Sequence, residues 1–357
     1  MPINGRDVPV VLGSGTTDHI LDAAGKYDSV VFISGSSAME KFSRYIPDLD
    51  SIRGDLTKIT LNEGDNLKNV RNYQKIVKVL IDRNVSSDSL VIALGCGEVL
   101  DLAGFVVSTY RGGMDYIPVP TTLLAQIGNS VSGLAGINFS NHEDVICSRS
   151  TPSEIIVDSH YIRSQTNDEI RDGFVEMARY GLVADHSMIS MIMTAEDVRS
   201  FRESEGICKI IGKGMRIRAE EMSLHAGKKN IATEFGKTIG SVLGEIHRNK
   251  VTYGQYMSTG MLMEFFLAER SGISVKNQRD TLNSVLDRFG IKRSSLKEAG
   301  IETIVKKLGE RFPGERSTID LLVPDEPGKS QRIEIGKDRL FSLLRSYTEL
   351  YEFIPSQ

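Results

Sequence analysis

Over residues 1 to about 160, short apolar runs alternate with stretches of helical period. Residues 8–12, 29–34, 56–61 and 90–94 read as strands, and 16–24, 36–45 and 69–83 as helices between them. This alternation predicts an open, Rossmann-like α/β domain with a mainly parallel sheet. From 168 onward the pattern changes to long amphipathic helices, interrupted at Gly206, Gly227, Gly272 and Gly290. One exception is the pair of apolar runs at 318–323 and 333–335. They flank Pro324-Asp325-Glu326-Pro327-Gly328 and predict a small hairpin. The boundary falls near 165. It divides an α/β domain (1–165) from a mostly α-helical domain (166–357).

The stretch from 90 to 138 organises the first domain. A buried-strand run ends in Gly95-Cys96-Gly97, and a helical pattern follows with Val99, Leu102, Ala103 and Val106 at core spacing and Asp101 near its start. A second strand, 116–119, runs into Pro120, and Thr121-Thr122 cap the next helix. Strand, glycine turn and helix start suit a pyrophosphate, because free amides and the helix dipole favour anions there. The turn lacks the full G-x-G-x-x-G spacing, so by itself it is weak evidence, and a plain strand-to-helix connection is the lesser alternative.

Composition narrows the classes. With 357 residues, 40% hydrophobic and 25% charged, the chain has room for two globular domains. A formal net charge of −4 gives no electrostatic reason to expect nucleic acid or an anionic membrane. No long apolar run and no basic-then-apolar leader occurs, which predicts a cytoplasmic protein that does not engage a membrane. Cys96, Cys147 and Cys208 are too few for a disulfide framework or a thiolate metal site.

LGCGEVLDLAGF, then TY and VPTTLLAQ, resembles dehydroquinate synthase and the wider sugar phosphate cyclase family. The likeness continues through IIVDSHYI, DGFVEMARYGL, FGKTIGSVLGE and YGQYMSTGM, so it covers most of the chain. It implies an NAD-binding enzyme, a homodimer, and an active cleft between the two domains. It also implies cofactor roles for Gly95, Gly97 and Asp101, and for Asp65 and Lys68 in a G-E-x-x-K-like segment. Thr121, Thr122 and Ser164 complete that set. Against it, the family's acidic residue after the second strand falls on Gly35. Taken without the resemblance, Asp65 and Lys68 are a solvated turn and the two threonines an ordinary helix cap.

The metal site departs from the family. The resemblance implies a glutamate and two histidines as ligands. The glutamate falls on Glu176, but the histidines fall on Lys237 and Tyr253. A charged ammonium has no lone pair, and one carboxylate does not hold zinc, so a metal-free site is expected. His225 and His247 are out of register as substitutes. Lys237 facing Glu176, with Tyr253 bonded to either, could be a structural plug. Alternatively the lysine could lower the phenol pKa and make Tyr253 an acid–base group.

Substrate positions are rewritten as well. The family's acid and lysine in D-S-S-V-G-G-K fall on Gly128 and Leu134, and its G-K-N falls on His142-Glu143-Asp144. Its other cations fall on Arg179 and Arg216, a histidine on Ser241, and an arginine and asparagine near Asn230 and Glu234. The reading that results is a divergent cyclase homologue. It binds NAD and acts on a polyol, cyclitol or sugar phosphate through Lys237, Tyr253, Glu176, Arg179 and Arg216. The rivals are a catalytically silent binding or scaffolding partner and an ordinary metal-dependent cyclase.

Overall fold

The computed structural model describes residues 1–62, 67–140, 142–224, 234–247, 250–311 and 318–351. The chain opens with β1 (Pro2–Ile3) and β2 (Arg6–Asp7), an antiparallel pair, and then β3 (Val10–Gly13). α1 (His19–Ala24), β4 (Ser29–Gly35), α2 (Ser36–Phe42) and β5 (Asp55–Leu61) follow. Next come α3 (Val70–Asp82), β6 (Leu90–Gly95), α4 (Gly97–Thr109), β7 (Asp115–Pro120) and α5 (Leu123–Ile127). An antiparallel hairpin, β8 (Leu134–Phe139) and β9 (His142–Arg149), leads to β10 (Ile155–Asp158), which pairs in parallel with β3.

The four central strands lie in the order β5-β4-β6-β7, all parallel. Strands covered on both faces show no apolar–polar alternation, and β4 and β6 are almost continuously buried for that reason. Val31, Ile33, Val91 and Ala93 enter the core shared with α3 and α4. Val30, Phe32, Ile92 and Leu94 enter the core shared with α1 and α2. α4 is pressed against β8, since a Cβ on Gly104 would stand 2.8 Å from that of Ala135.

Several expected boundaries shift. The strand expected at 8–12 begins at Val10, and the helices expected at 16–24 and 36–45 are each part 3-10 turn, Thr16–Asp18 and Ser43–Tyr45. The hairpin at 134–149 was not legible as strands, because β9 is exposed or half-exposed along its whole length and carries no alternation.

The helical part comprises α6 (His160–Arg163), α7 (Asn167–Val183), α8 (Ser187–Ile192), α9 (Val198–Arg202) and α10 (Ile207–Leu224). Beyond these lie α11 (Lys237–His247), α12 (Tyr253–Arg270), α13 (Lys276–Arg288), α14 (Leu296–Ala299) and α15 (Ile301–Arg311). The expected hairpin, β11 (Thr318–Glu326) with β12 (Lys329–Gly336), precedes α16 (Lys337–Tyr351). Gly272 and Gly290 take positive φ just past α12 and α13, where an L-residue would be strained. Gly227 lies outside the described residues. No described helix is long and apolar enough to cross a membrane.

The chain forms two compact units, Met1–Ile170 with Arg202–Ala226, and Arg171–Phe201 with Gly227–Gln357. Within the second, α11 and α12 cross at glycines. A Cβ on Gly260 would meet the Gly240 nitrogen at 2.6 Å, so only hydrogen fits there. Phe174 anchors α7 in this unit, with its ring centroid 4.7 Å from that of Phe201 and 4.0 Å from that of Phe289.

Candidate active site

In the first unit the turn from β6 into α4 brings polar groups together. Lys68 Nζ donates to Asp101 Oδ2 at 2.8 Å and to Asp144 Oδ1 at 2.7 Å, and Asn129 Nδ2 donates to Asp101 Oδ1 at 3.0 Å. Burial acts to lower the Lys68 pKa, but the carboxylates of Asp101 and Asp144 outweigh it and leave the ammonium held charged. Burial also raises the carboxyl pKa of Glu98, in the first turn of α4. Gly97 is required by its neighbour: a Cβ there would lie 2.5 Å from Asn129 Oδ1.

The residues present fit a dinucleotide. Cys96, the N-cap of this 13-residue helix, makes no side-chain cap hydrogen bond, and first-turn amides have no acceptor within their own helix. Thr121 N–H donates to the Gly95 carbonyl at 3.0 Å, tying the end of β7 to the end of β6. Thr122 Oγ1 accepts from Ala125 N–H at 3.2 Å as the N-cap of α5, which leaves its own hydroxyl proton to donate. Gln165, not singled out in the sequence, locks this turn by donating to Thr121 O at 3.1 Å and accepting from Leu123 N–H at 3.2 Å. Ser164 is half-buried at the C-cap of α6, and Gly35 is the N-cap of α2. Asp65 lies outside the described residues.

In the second unit Glu176 and Arg179 sit three residues apart on α7, at 3% and 4% exposure, and form an ion pair through Oε1 and Nη2. Tyr253 Oη donates to Glu176 Oε2 at 2.7 Å. Tyr253 is the first residue of α12, whose start is held by a Thr252–Gln255 capping box and by Asp172 Oδ1, which accepts from Gly254 N–H at 2.6 Å.

One expectation about this cluster changes, and one of its two open readings falls. The cation on Glu176 is Arg179, while Lys237 is exposed as the first residue of α11 and forms no ion pair with Glu176. The Tyr253 phenol is pushed well up, first by burial and then by the Glu176 carboxylate, so it stays protonated at neutral pH. The i, i+3 spacing of Glu176 and Arg179 was the available signal for the pair.

The donor set does not fit a divalent ion. One carboxylate already shared by a guanidinium and a phenol offers a cation little, and the described residues hold no group of three His, Cys, Asp or Glu that could ligate one. His247 is buried, with Nε2 3.0 Å from Ser295 O; His225 and Asn230 lie outside the described residues. Arg179 Nε is buried with no hydrogen-bond partner among the described residues, and so it calls for an acceptor. Arg216, on α10 in the first unit, is exposed. Two residues on, Arg218 turns Nε and Nη1 inward, also without partners among the described residues. Spacing alone could not choose between these two arginines.

Two family models match the chain, 3-dehydroquinate synthase N-terminal over residues 58–172 and 3-dehydroquinate synthase C-terminal over 173–309. The 3-dehydroquinate synthase of Thermoplasma volcanium is 32% identical over 92% of this chain and 91% of its own. That of Sulfolobus acidocaldarius is 26% identical over 80% of each. Among solved structures, a 2-deoxy-scyllo-inosose synthase complexed with carbaglucose-6-phosphate, NAD+ and Co2+ aligns with TM-score 0.84 at 15% identity, covering 94% of this chain and 96% of its own. The 2-epi-5-epi-valiolone synthase of Streptomyces hygroscopicus, with NAD+ and Zn2+ bound, also gives 0.84 at 15% identity, over 98% of this chain and 99% of its own. At that identity the likeness shows the dehydroquinate synthase-like α/β fold.

Proposed function

We propose, from the premise that this chain belongs to the 3-dehydroquinate synthase family, that it is an NAD-binding member working without a divalent ion on a polyol, cyclitol or sugar phosphate. The observation that carries this is the arrangement around Glu176. Arg179 and Tyr253 occupy both carboxylate oxygens, and Arg179 Nε–H, buried and without a hydrogen-bond partner among the described residues, is a donor that suits an oxygen acceptor rather than a cation. NAD+ bound in the structural relatives supports the cofactor; those same relatives also hold Co2+ or Zn2+, and the metal-free reading rests on the donors around Glu176 alone.

A bound nicotinamide would supply the hydride acceptor for an alcohol carbon. The amides at the start of α4 would hold its pyrophosphate, and Thr121 and Thr122 would supply hydroxyl donors to it. Tyr253 Oη accepts the substrate hydroxyl proton while its own proton passes to Glu176 Oε2, to which it is already bonded. Arg179 Nε–H steadies the oxygen that has lost its proton.

The test is elemental analysis of dialysed protein, together with thermal shift in NAD and NADP. No stoichiometric ion and a melting temperature that climbs with NAD are expected. Stoichiometric zinc or cobalt would overturn the metal-free reading, and no shift at millimolar nucleotide would overturn the cofactor.

One observation favours a second reading, a catalytically silent homologue serving as a binding or scaffolding partner. Glu176 and Arg179 neutralise each other in a buried place, as a plug filling a vacated ion site would. Nicotinamide reduction on a panel of polyols and cyclitol phosphates separates the two.

A further inference from the structure

We propose that Ser14 is a nucleophile outside the nicotinamide chemistry, acylated by aryl esters and thioesters with His160 as its base and Asp158 behind the imidazole. β3 and β10 run parallel with Gly13 opposite Asp158. The two segments therefore leave the pair side by side, and Ser14 meets His160 across 146 positions of sequence. Ser14 is exposed, between Gly13 and Gly15 at the turn from β3 into the helical segment that follows. Its Oγ lies 2.7 Å from His160 Nε2, and His160 Nδ1 lies 3.6 Å from Asp158 Oδ1. A serine, a base within reach of its hydroxyl and a carboxylate on the far side of the ring form the set that activates an alcohol.

The surroundings hold that set in place. Asp158 is fully buried, and its Oδ1 accepts from Gly15 N–H at 3.0 Å and from His160 N–H at 2.9 Å. Its Oδ2 accepts from Thr17 N–H at 3.1 Å and from the Thr17 hydroxyl at 2.7 Å. Gly15 takes a φ of 77°, where a side chain would be strained, and that turn aims its N–H at Asp158. Tyr45 stacks on the imidazole with ring centroids 5.2 Å apart, which restrains the base. In the tautomer that lets Nε2 accept from the serine, the ring proton sits on Nδ1 and faces Asp158. The 3.6 Å gap is too long for a hydrogen bond, but the carboxylate still stabilises the imidazolium that forms. Ser14 Oγ bonds to the acyl carbon as its proton passes to His160 Nε2. The alkoxide or thiolate leaves with that proton. Water, deprotonated in turn by His160, then releases the acid and restores Ser14. The charge on Asp158 disfavours an anionic electrophile and selects a neutral acyl group. Gly15 N–H is spent on Asp158 and adds no oxyanion donor. One such donor is worth about 10²–10³ in rate, so lacking it confines the site to good leaving groups. Nothing here depends on the chemistry at Glu176.

The experiment uses the full chain and two probes, a fluorophosphonate and p-nitrophenyl acetate. Peptide mass spectrometry should place the fluorophosphonate on Ser14. Release of p-nitrophenol should exceed that of Ser14→Ala, which should take no label at that position. Ser14 is exposed, so this variant should fold, and circular dichroism confirms it. His160→Gln keeps a hydrogen-bonding side chain but not the base, so its labelling rate should fall about a hundredfold or more. Ser14 left unlabelled, ester hydrolysis equal in Ser14→Ala, or an undiminished labelling rate in His160→Gln would each overturn the proposal and leave the Ser14–His160 contact a surface hydrogen bond only. Neither readout involves nicotinamide, so failure here leaves the Glu176 reading standing.

Discussion

Arg179 stands one helical turn after Glu176 on α7, and the two form a closed ion pair with each side chain at most 5% exposed. The Tyr253 hydroxyl donates to the carboxylate's other oxygen. Desolvation makes such a pair a weak source of net stability, yet removing one partner leaves a buried charge alone. The centre of this site therefore answers differently to single and paired substitutions.

Arg179→Met should destabilise the protein by about 3–5 kcal/mol, the range for breaking a buried pair. Arg179→Met with Glu176→Gln should recover much of that, because neither remaining group is charged. Lys237→Ala, at an exposed position, should stay within about 0.5 kcal/mol of the parent. Urea unfolding of the four proteins decides. A Lys237→Ala loss comparable to that of Arg179→Met would show that the wrong cation has been paired with Glu176.

Tyr253→Phe keeps the ring and loses one hydrogen bond to a carboxylate, which costs about 1.5–3 kcal/mol. If Tyr253 passes the substrate proton, turnover should fall about a hundredfold or more while the NAD-induced thermal shift is unchanged. Full activity in this variant would end the catalytic role.

Glu264 is wholly buried and accepts from Gly236 N–H at 2.8 Å and from Ile239 N–H at the start of α11. Burial pushes its carboxyl from 4.5 up to about 8, against those two donors. Between these values the native state keeps a proton that the unfolded chain has released. The contribution is present in full below pH 4.5 and is lost as pH rises through about 8. The slope is about 1.4 kcal/mol per pH unit. Glu264→Gln keeps one of the two acceptor oxygens and removes the titration, so its stability relative to the parent should rise from pH 5 to pH 8. Unfolding curves at four pH values measure this, and a flat difference would mean that Glu264 does not titrate in that window.

Gly97→Ala would drive a methyl to within 2.5 Å of Asn129 Oδ1 and disturb the bond from Asn129 to Asp101. The melting-temperature rise with NAD should shrink or vanish while the protein remains folded by circular dichroism. An undiminished rise would place the nucleotide elsewhere.

The sequence by itself determined the alternating sheet of the first unit, the switch to helices near 168, the terminal hairpin and the family. These rest on local periodicity and on glycine, proline and threonine at turns, which neighbours in the chain largely dictate. It also singled out Glu176, Tyr253, Lys68 and Asp101, which lie in hydrogen-bonded polar clusters of the structure. Only the tertiary structure decided their partners. Lys68 meets Asp144 across 76 positions of sequence, and Tyr253 meets Glu176 across 77. Register along the chain says nothing about which side chain points inward, so Arg179 rather than Lys237 took the carboxylate, and Arg218 rather than Arg216 turned its donors inside. Of the two readings open for Tyr253, the lowered phenol fails for the same reason. Desolvation depends on what packs around a group, and packing is set by helices far apart in sequence, here α7 and α12.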